Sequence, residues 1–371
     1  MIIRPGSLVS AAVESLRAQF PALAELVYLN AGTNGPVPGR ALVAAEESLR
    51  RQAGQGRSGK AFMDDLVERG EVLRGRVAAL IGAELGELAL TGSTTDGVNS
   101  ILTALDLRPG DEIVTSDEEH PGVLGPLAAA RDTKGVRVKI APFHELAAAV
   151  GPRTRLVAWS HVSWKSGRIV DHAALAATGV DVLLDGAQGL GAVPVDVRAL
   201  GCHYYAASGQ KWLCGPNGIG YLFARADRIA ALRAPWPGYH ALEDPGDPLH
   251  SPLHGDARRL ATGFPAPHQV EWALAALDVL EEAGIPAVHE RGCKLASRLA
   301  ERLAERGVAV AARGRSTLVA FEAPEPATLV ERLTAAGLVL RDLPGGPYVR
   351  ASVGAWNRED ELERLVAAVT G

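Results

Sequence analysis

The chain has 371 residues, 47% hydrophobic and 22% charged, with a net charge of −5. That is enough apolar material for a large buried core, and its basic residues are too scattered for a nucleic-acid surface. Cys202, Cys214 and Cys293 make no C-x-x-C pair, which argues against a zinc site or a disulfide framework and fits a reducing cytoplasm; no run of about 18 apolar residues spans a membrane, and the first segment lacks the cationic-then-apolar order of a secretory leader.

From about residue 64, helical and strand-like segments alternate. DDLVERGEVLRGRVAALIG has helical spacing, ELALTG predicts a short strand and TTDGVNSILTAL a helix. The alternation continues through DEIVTS, GVLGPLAAARDT, VRVKIA, ELAAAV, TRLVAWSH, DHAALAAT and VDVLLD, and closes with two strands, HYYAAS and GIGYLFA. Apolar strands separated by helices predict a mainly parallel sheet covered on both faces. The link between the last two is too short for a helical crossover, so GIGYLFA is predicted antiparallel. RAPWPGYHALEDPGDPLHSPLHGDARR, rich in proline and glycine, predicts a long irregular loop. HQVEWALAALDVLEEAG and AVHERGCKLASRLAERLAERG then predict two helices. VAVAA and STLVAFE predict strands, PATLVERLTAAG a helix, LVLRDL and PYVRASV strands, and REDELERLVAAVTG a final helix. This describes a large α/β domain over residues 20–265 and a small α+β domain over 266–371, with residues 1–19 packing on the small one.

Ligands in open α/β sheets sit at the carboxyl ends of the strands, and several polar clusters fall there. In TGSTTDGVNS, Ser93 or Thr94 caps a helix whose free N–H groups suit an anion, or simply forms a cap and turn. Asp185 ends the apolar strand VDVLLD; a carboxylate so placed needs a partner, either a protonated ring nitrogen of a ligand or the turn it holds. Lys211, in ASGQKWLCGPNGIG, reaches the same edge, where a neutral lysine forms a Schiff base with a carbonyl; by itself it also suits a surface ion pair. His120 offers a flat ring, a base or a loop cap, and no second histidine is spaced to complete a metal site. Arg350 suits a carboxylate or an internal salt bridge. No cluster decides alone. Together they describe a ligand with a phosphate, a pyridine nitrogen and an aldehyde: pyridoxal 5′-phosphate.

YLNAGTNGPVP, EHPGVL, DGAQ, SGQKWLCGPNGIG and RASVG carry a resemblance to the class V aminotransferases, which are fold-type I pyridoxal-phosphate enzymes and include cysteine desulfurases, selenocysteine lyases and isopenicillin N epimerases. The resemblance implies a mainly parallel seven-stranded sheet, a homodimer and an amino-acid substrate, with no nucleic-acid or membrane partner and no metal. It implies that Lys211 bonds the cofactor, Asp185 pairs with the ring nitrogen, Gln188 contacts the ring oxygen and His120 stacks on the ring. Thr94 and Thr95, assisted by Ser208 and Gln210, would bind phosphate. Arg350 would bind the substrate carboxylate, with Asn30 and Trp164 nearby. There are departures. Trp164 stands where many members have Asn, and Gln210 where many have His. Phe264 stands where desulfurases place a threonine that reaches the partner's phosphate, although Thr262 is close by. LRDLPGGPYVR lacks the mobile cysteine that desulfurases use to take up sulfur, and Cys214 suits buried packing. The expected activity is therefore a C–S lyase or desulfurase-like reaction on a cysteine-derived amino acid, with β-elimination preferred over persulfide formation. An aminotransferase or epimerase is the alternative. A non-catalytic cofactor-binding sensor and a cofactor-free Schiff-base aldolase are the competing classes.

Overall fold

The computed structural model describes residues 14–261 and 263–371; Thr262 and most of the N-terminal segment expected to pack on the small domain lie outside these. Strands β2 (Leu88–Thr91), β3 (Glu112–Ser116), β4 (Arg137–Ala141), β5 (Thr154–Ser160), β6 (Asp181–Asp185), β7 (Tyr204–Ser208) and β8 (Gly220–Ala224) form a seven-stranded sheet. Their order is β2-β8-β7-β6-β5-β3-β4. β8 runs antiparallel to both neighbours, as its short link dictates, and every other adjacent pair is parallel. Successive side chains point to opposite faces, so each strand feeds two cores. Val114, Val157, Leu184 and Tyr205 are buried on one side, and Ile113, Leu156, Leu183 and Tyr204 on the other.

A second, three-stranded antiparallel sheet has the order β11 (Arg341–Asp342), β12 (Tyr348–Ser352), β9 (Leu318–Glu322). β1 (Val27–Tyr28) pairs in parallel with β10 (Leu338–Val339), so the start of the described chain is stitched to its last third. Arg17 strengthens that seam: it donates to the Trp356 carbonyl at 3.1 Å and forms a salt bridge with Glu361 at 2.7 Å.

Three segments differ from the sequence expectation. VAVAA is no strand; Val310 alone bridges to Phe321, because only one residue meets a partner in register. LVLRDL is divided between two sheets, Leu338–Val339 pairing with β1 and Arg341–Asp342 with β12. The helix Gly39–Gln55 has no counterpart among the predicted elements; its buried face is Ala41, Ala45 and Ser48, small residues that leave no hydrophobic stripe to read. Among the described residues no helix is long and apolar enough to cross a membrane.

Candidate active site

The ends of β2, β3, β5, β6 and β7 converge on a cavity of about 200 Å³. Thr94, Thr95, His120, Trp164, Asp185, Gln188, Ser208, Gln210, Lys211 and Arg350 all line it. Of the residues the sequence singled out for the site, Asn30 stands one step back. Its Oδ1 accepts from Thr33 Oγ1 at 2.8 Å, and Thr33 in turn faces the cavity.

One wall is the start of the helix Thr94–Ala104. Ser93 caps it, its Oγ accepting from the Asp96 amide at 3.1 Å, and Thr94 and Thr95 of the first turn line the cavity. Ser208, at the end of β7, holds this wall in place: its Oγ accepts from the Thr94 amide at 2.9 Å and lies 2.5 Å from Thr94 Oγ1. The wall can come this close because residue 220 on β8 is glycine; a Cβ there would sit 2.7 Å from the Ser93 backbone. Hydroxyls and amides at a helix start form an anion cradle.

Lys211 lies in the connection between β7 and β8, which Gly209 closes by donating to the Ile219 carbonyl at 2.9 Å. The loop after β1 clamps it from the other side: the Gly35 amide donates to the Gln210 carbonyl at 2.7 Å. A Cβ on Gly35 would fall 2.2 Å from the Lys211 carbonyl oxygen. Asp185 is 7% exposed, and its side chain accepts from the Ala187 amide at 2.8 Å. Gln188 is fixed by donating to the Gly32 carbonyl at 2.7 Å and accepting from Trp212 Nε1 at 3.0 Å. That leaves its amide one N–H to offer the cavity.

The electrostatics favour a neutral amine. Burial pushes the Lys211 ammonium down to about 8; Asp185 opposes this, while Arg350 and Arg341 add to it. His120 is lowered to about 4, chiefly by burial and then by Lys211, Arg350 and Arg341. Its Nδ1 accepts from the Gly122 amide at 2.9 Å, and its ring meets Trp164 edge-on with centroids 4.8 Å apart. The imidazole is therefore neutral and held as a flat plate. Burial raises Asp185, with Lys211 and the Ala187 amide opposing. Behind it lies Glu119. It accepts from Ser116 Oγ at 2.5 Å, the Ser160 amide at 2.8 Å and Ser160 Oγ at 2.6 Å. Burial raises Glu119 to about 7. Glu118 is likewise occupied, by Ser163, Ser166 and Arg168, so neither carboxylate is turned to a metal beside His120.

Arg350, 1% exposed, enters from β12 of the second sheet. It donates to the Trp164 carbonyl at 2.9 Å and to Thr33 Oγ1 at 3.4 Å, while its Nε has no partner. Thr33 and Arg341 also line the cavity and were not among the sequence candidates. The glycines of AGTNGP, which mark a close backbone approach, were the available signal for the first. A larger groove of about 310 Å³, lined by Tyr239, His240 and Phe264 among others, contains no lysine. Phe264 packs there against Tyr239 and His240, away from Lys211.

A family model described as aminotransferase class V matches residues 27–365. The chain is 31% identical to isopenicillin N epimerase of Amycolatopsis lactamdurans, covering 98% of this chain and 99% of that one. It is 30% identical to the cysteine desulfurase CsdA of Escherichia coli K12, covering 95% and 96%. Two solved structures of C-DES, each 27% identical, superpose over 95% of this chain. One is a lysine-to-alanine mutant with glycine covalently linked to the PLP cofactor, TM-score 0.91 and 98% of that chain covered. The other is the cystine C–S lyase with its reaction product cysteine persulfide, TM-score 0.89 and 99% covered.

Proposed function

This chain belongs to the class V aminotransferase family, and on that premise we propose that it is a pyridoxal-phosphate enzyme that breaks the C–S bond of a cysteine-derived amino acid by β-elimination. The donor set suits the cofactor. A helix start with Thr94, Thr95 and Ser208 meets its phosphate, Asp185 its ring nitrogen and Lys211 its aldehyde. When bound, the cofactor supplies a carbonyl for the amine and a protonated ring that accepts the electron pair released at Cα.

The protein's own residues do the rest. Asp185, buried at the end of β6, is placed to keep the ring nitrogen protonated. His120 covers the ring as a neutral plate. Arg350 holds the α-carboxylate and so presents the Cα–H to Lys211. Lys211, once free and with its affinity lowered to about 8, takes that proton as general base. The Cβ–S bond then breaks, sulfur leaves with the electron pair and is protonated, and the remaining aminoacrylate takes up water to give pyruvate and ammonia. With cystine the sulfur product is cysteine persulfide.

The observation that carries this reading is the pairing of the Lys211–Asp185–Arg350 cavity with a segment, residues 340–350, that contains no cysteine to receive sulfur. Incubation with cystine and with S-substituted cysteines tests it: pyruvate and ammonia in equal amounts are expected. Alanine accompanied by sulfane sulfur bound to the protein would overturn it. Similarity to isopenicillin N epimerase favours a second reading, inversion at Cα. Exchange of Cα deuterium with inversion and without pyruvate would identify it. A cytoplasmic homodimer completes the proposal.

A further inference from the structure

The order of the large sheet reverses between β3 and β5: β4 lies beyond β3 on one side, while β5 and β6 follow on the other. Ligands in open α/β sheets gather at such a reversal, because the connections leave the strand ends in opposite directions and open a crevice. Here the strand ends part. Val114 is the last residue of β3 paired with β5, through Val157, although the two strands continue to Ser116 and Ser160. One side chain fills the gap. Glu119 takes the Ser116 hydroxyl and the Ser160 amide on Oε1, at 2.5 and 2.8 Å, and its Oε2 meets the Ser160 hydroxyl at 2.6 Å. On its other edge Ser160 is the register partner of Asp185, and His161 donates its amide to the Asp185 carbonyl at 2.9 Å. His120 follows Glu119 directly in the chain. A single carboxyl thus fastens the residue assigned to the ring face to the strand beside the acid assigned to the ring nitrogen.

Glu119 is buried, and no salt bridge reaches it among the described residues. β3 and β5 offer it hydroxyls and an amide, and His161, next along β5, turns instead to Tyr205 Oη at 3.0 Å. β6 contributes Asp185, whose charge opposes ionisation of Glu119. Of its neighbours in the turn, Glu118 is held by Arg168 and His120 is kept neutral. Burial raises Glu119 to about 7, with the two serines opposing and Asp185 assisting. Its Oε1 already accepts two donors, whereas its Oε2 faces a hydroxyl that can give or take a proton. The acid can therefore gain or lose its charge while every tie stays in place. Resting on the cofactor assignment of the reading above, we infer that Glu119 is a positioning residue that ties His120 to the strand next to Asp185 and, when charged, adds to Asp185 in holding the proton on the cofactor's ring nitrogen. The two acids repel, so charge on Glu119 makes Asp185 a stronger proton acceptor, and the effect passes to whatever Asp185 binds. The electron sink is then adjusted near neutral pH by a residue outside the lining of the cavity.

The test is spectroscopic and needs no substrate, so it stands or falls apart from the lyase reading, which pyruvate formation decides. The visible band of the cofactor-loaded protein is followed against pH. In the wild type one step is expected near pH 7, as Glu119 loses its proton. Glu119→Gln keeps the ties, its amide donating to Ser160 Oγ, but carries no charge. It should retain the band, lose that step and shift the remaining transition down by about one pH unit, the tenfold effect of one nearby buried charge. Glu119→Asp, which stays ionisable, should retain a step. Glu119→Ala should lose the step and also release the cofactor roughly tenfold faster, because Ser116 and Ser160 are left without their partner. A wild type without the step, or a Glu119→Gln profile identical to the wild type's, overturns the inference. If Glu119→Gln takes up no cofactor, the cofactor-free proteins decide. Infrared difference spectra across about pH 6 to 8 should then show a carboxyl losing its proton in the wild type and not in the variant, and the lack of such a difference overturns the inference. Unchanged circular dichroism establishes that the variants are folded.

Discussion

Lys211 must be uncharged to attack an aldehyde, and its surroundings decide at what pH that occurs. Burial holds its proton affinity near 8, against about 10.4 for a free side chain. Because the charged form is the one disfavoured, the amine becomes competent as pH rises through that value. Uptake of pyridoxal phosphate by the cofactor-free protein should accelerate up to about pH 8 and level off above it, followed by the growth of visible absorbance. Asp185→Asn removes the anion that opposes the shift, so its plateau should begin at lower pH. A rate still climbing at the pH of an ordinary lysine would contradict the assignment. Lys211, Asp185, His120 and Arg350 were legible because each sits at the end of an apolar strand or in a short polar run, where burial without a ligand makes little sense. Arg341 was not legible. It sits in LVLRDL beside an acid, Asp342, and in one dimension looks like half of an ordinary surface pair.

At the scale of the elements, the inner strands of the large sheet were readable because both their faces are buried, whereas β4 at the edge is largely exposed. VDVLLD and HYYAAS each have a continuous apolar centre, VLL and YYAA, and their lengths match strands. The small sheet was read less well. Its strand β11 comes from a run, LVLRDL, whose first half pairs with β1 in a separate sheet, a division that sequence does not reveal. The loop joining β1 to the helix Gly39–Gln55 matters more than its composition suggests, because Gly35 is pressed against the backbone of Lys211. Gly35→Ala would place a Cβ 2.8 Å from Cys214 Sγ and closer still to the Lys211 carbonyl oxygen. The two loops must then separate. Thermal denaturation should report a loss of about 1–3 kcal/mol, the usual cost of overpacking, together with faster cofactor release. A variant as stable as the wild type, with cofactor equally retained, would show that this contact gives way freely.

Across the whole molecule the site is divided between two sheets. The seven-stranded sheet carries the groups assigned to the cofactor, and the three-stranded sheet brings Arg350, fastened to the Trp164 carbonyl, and Arg341. The two roles should therefore separate on mutation. Arg350→Lys keeps the charge but loses the planar fork. It is expected to retain cofactor absorbance while kcat/KM for amino acids falls roughly a hundredfold, mostly through KM. Loss of cofactor in that variant would mean that the division is false. The sequence by itself determined the chemistry on offer: a lysine, an acid and a capped helix start at the ends of buried strands, each encoded within a few adjacent residues. Only the tertiary structure decided that Arg341 lies opposite Arg350, that Thr33 lines the cavity while Gly35 clamps the backbone beside Lys211, and that Phe264 does not enter it. Those facts depend on strand register and on contacts between residues far apart in the chain, which no local pattern of apolar and polar side chains specifies.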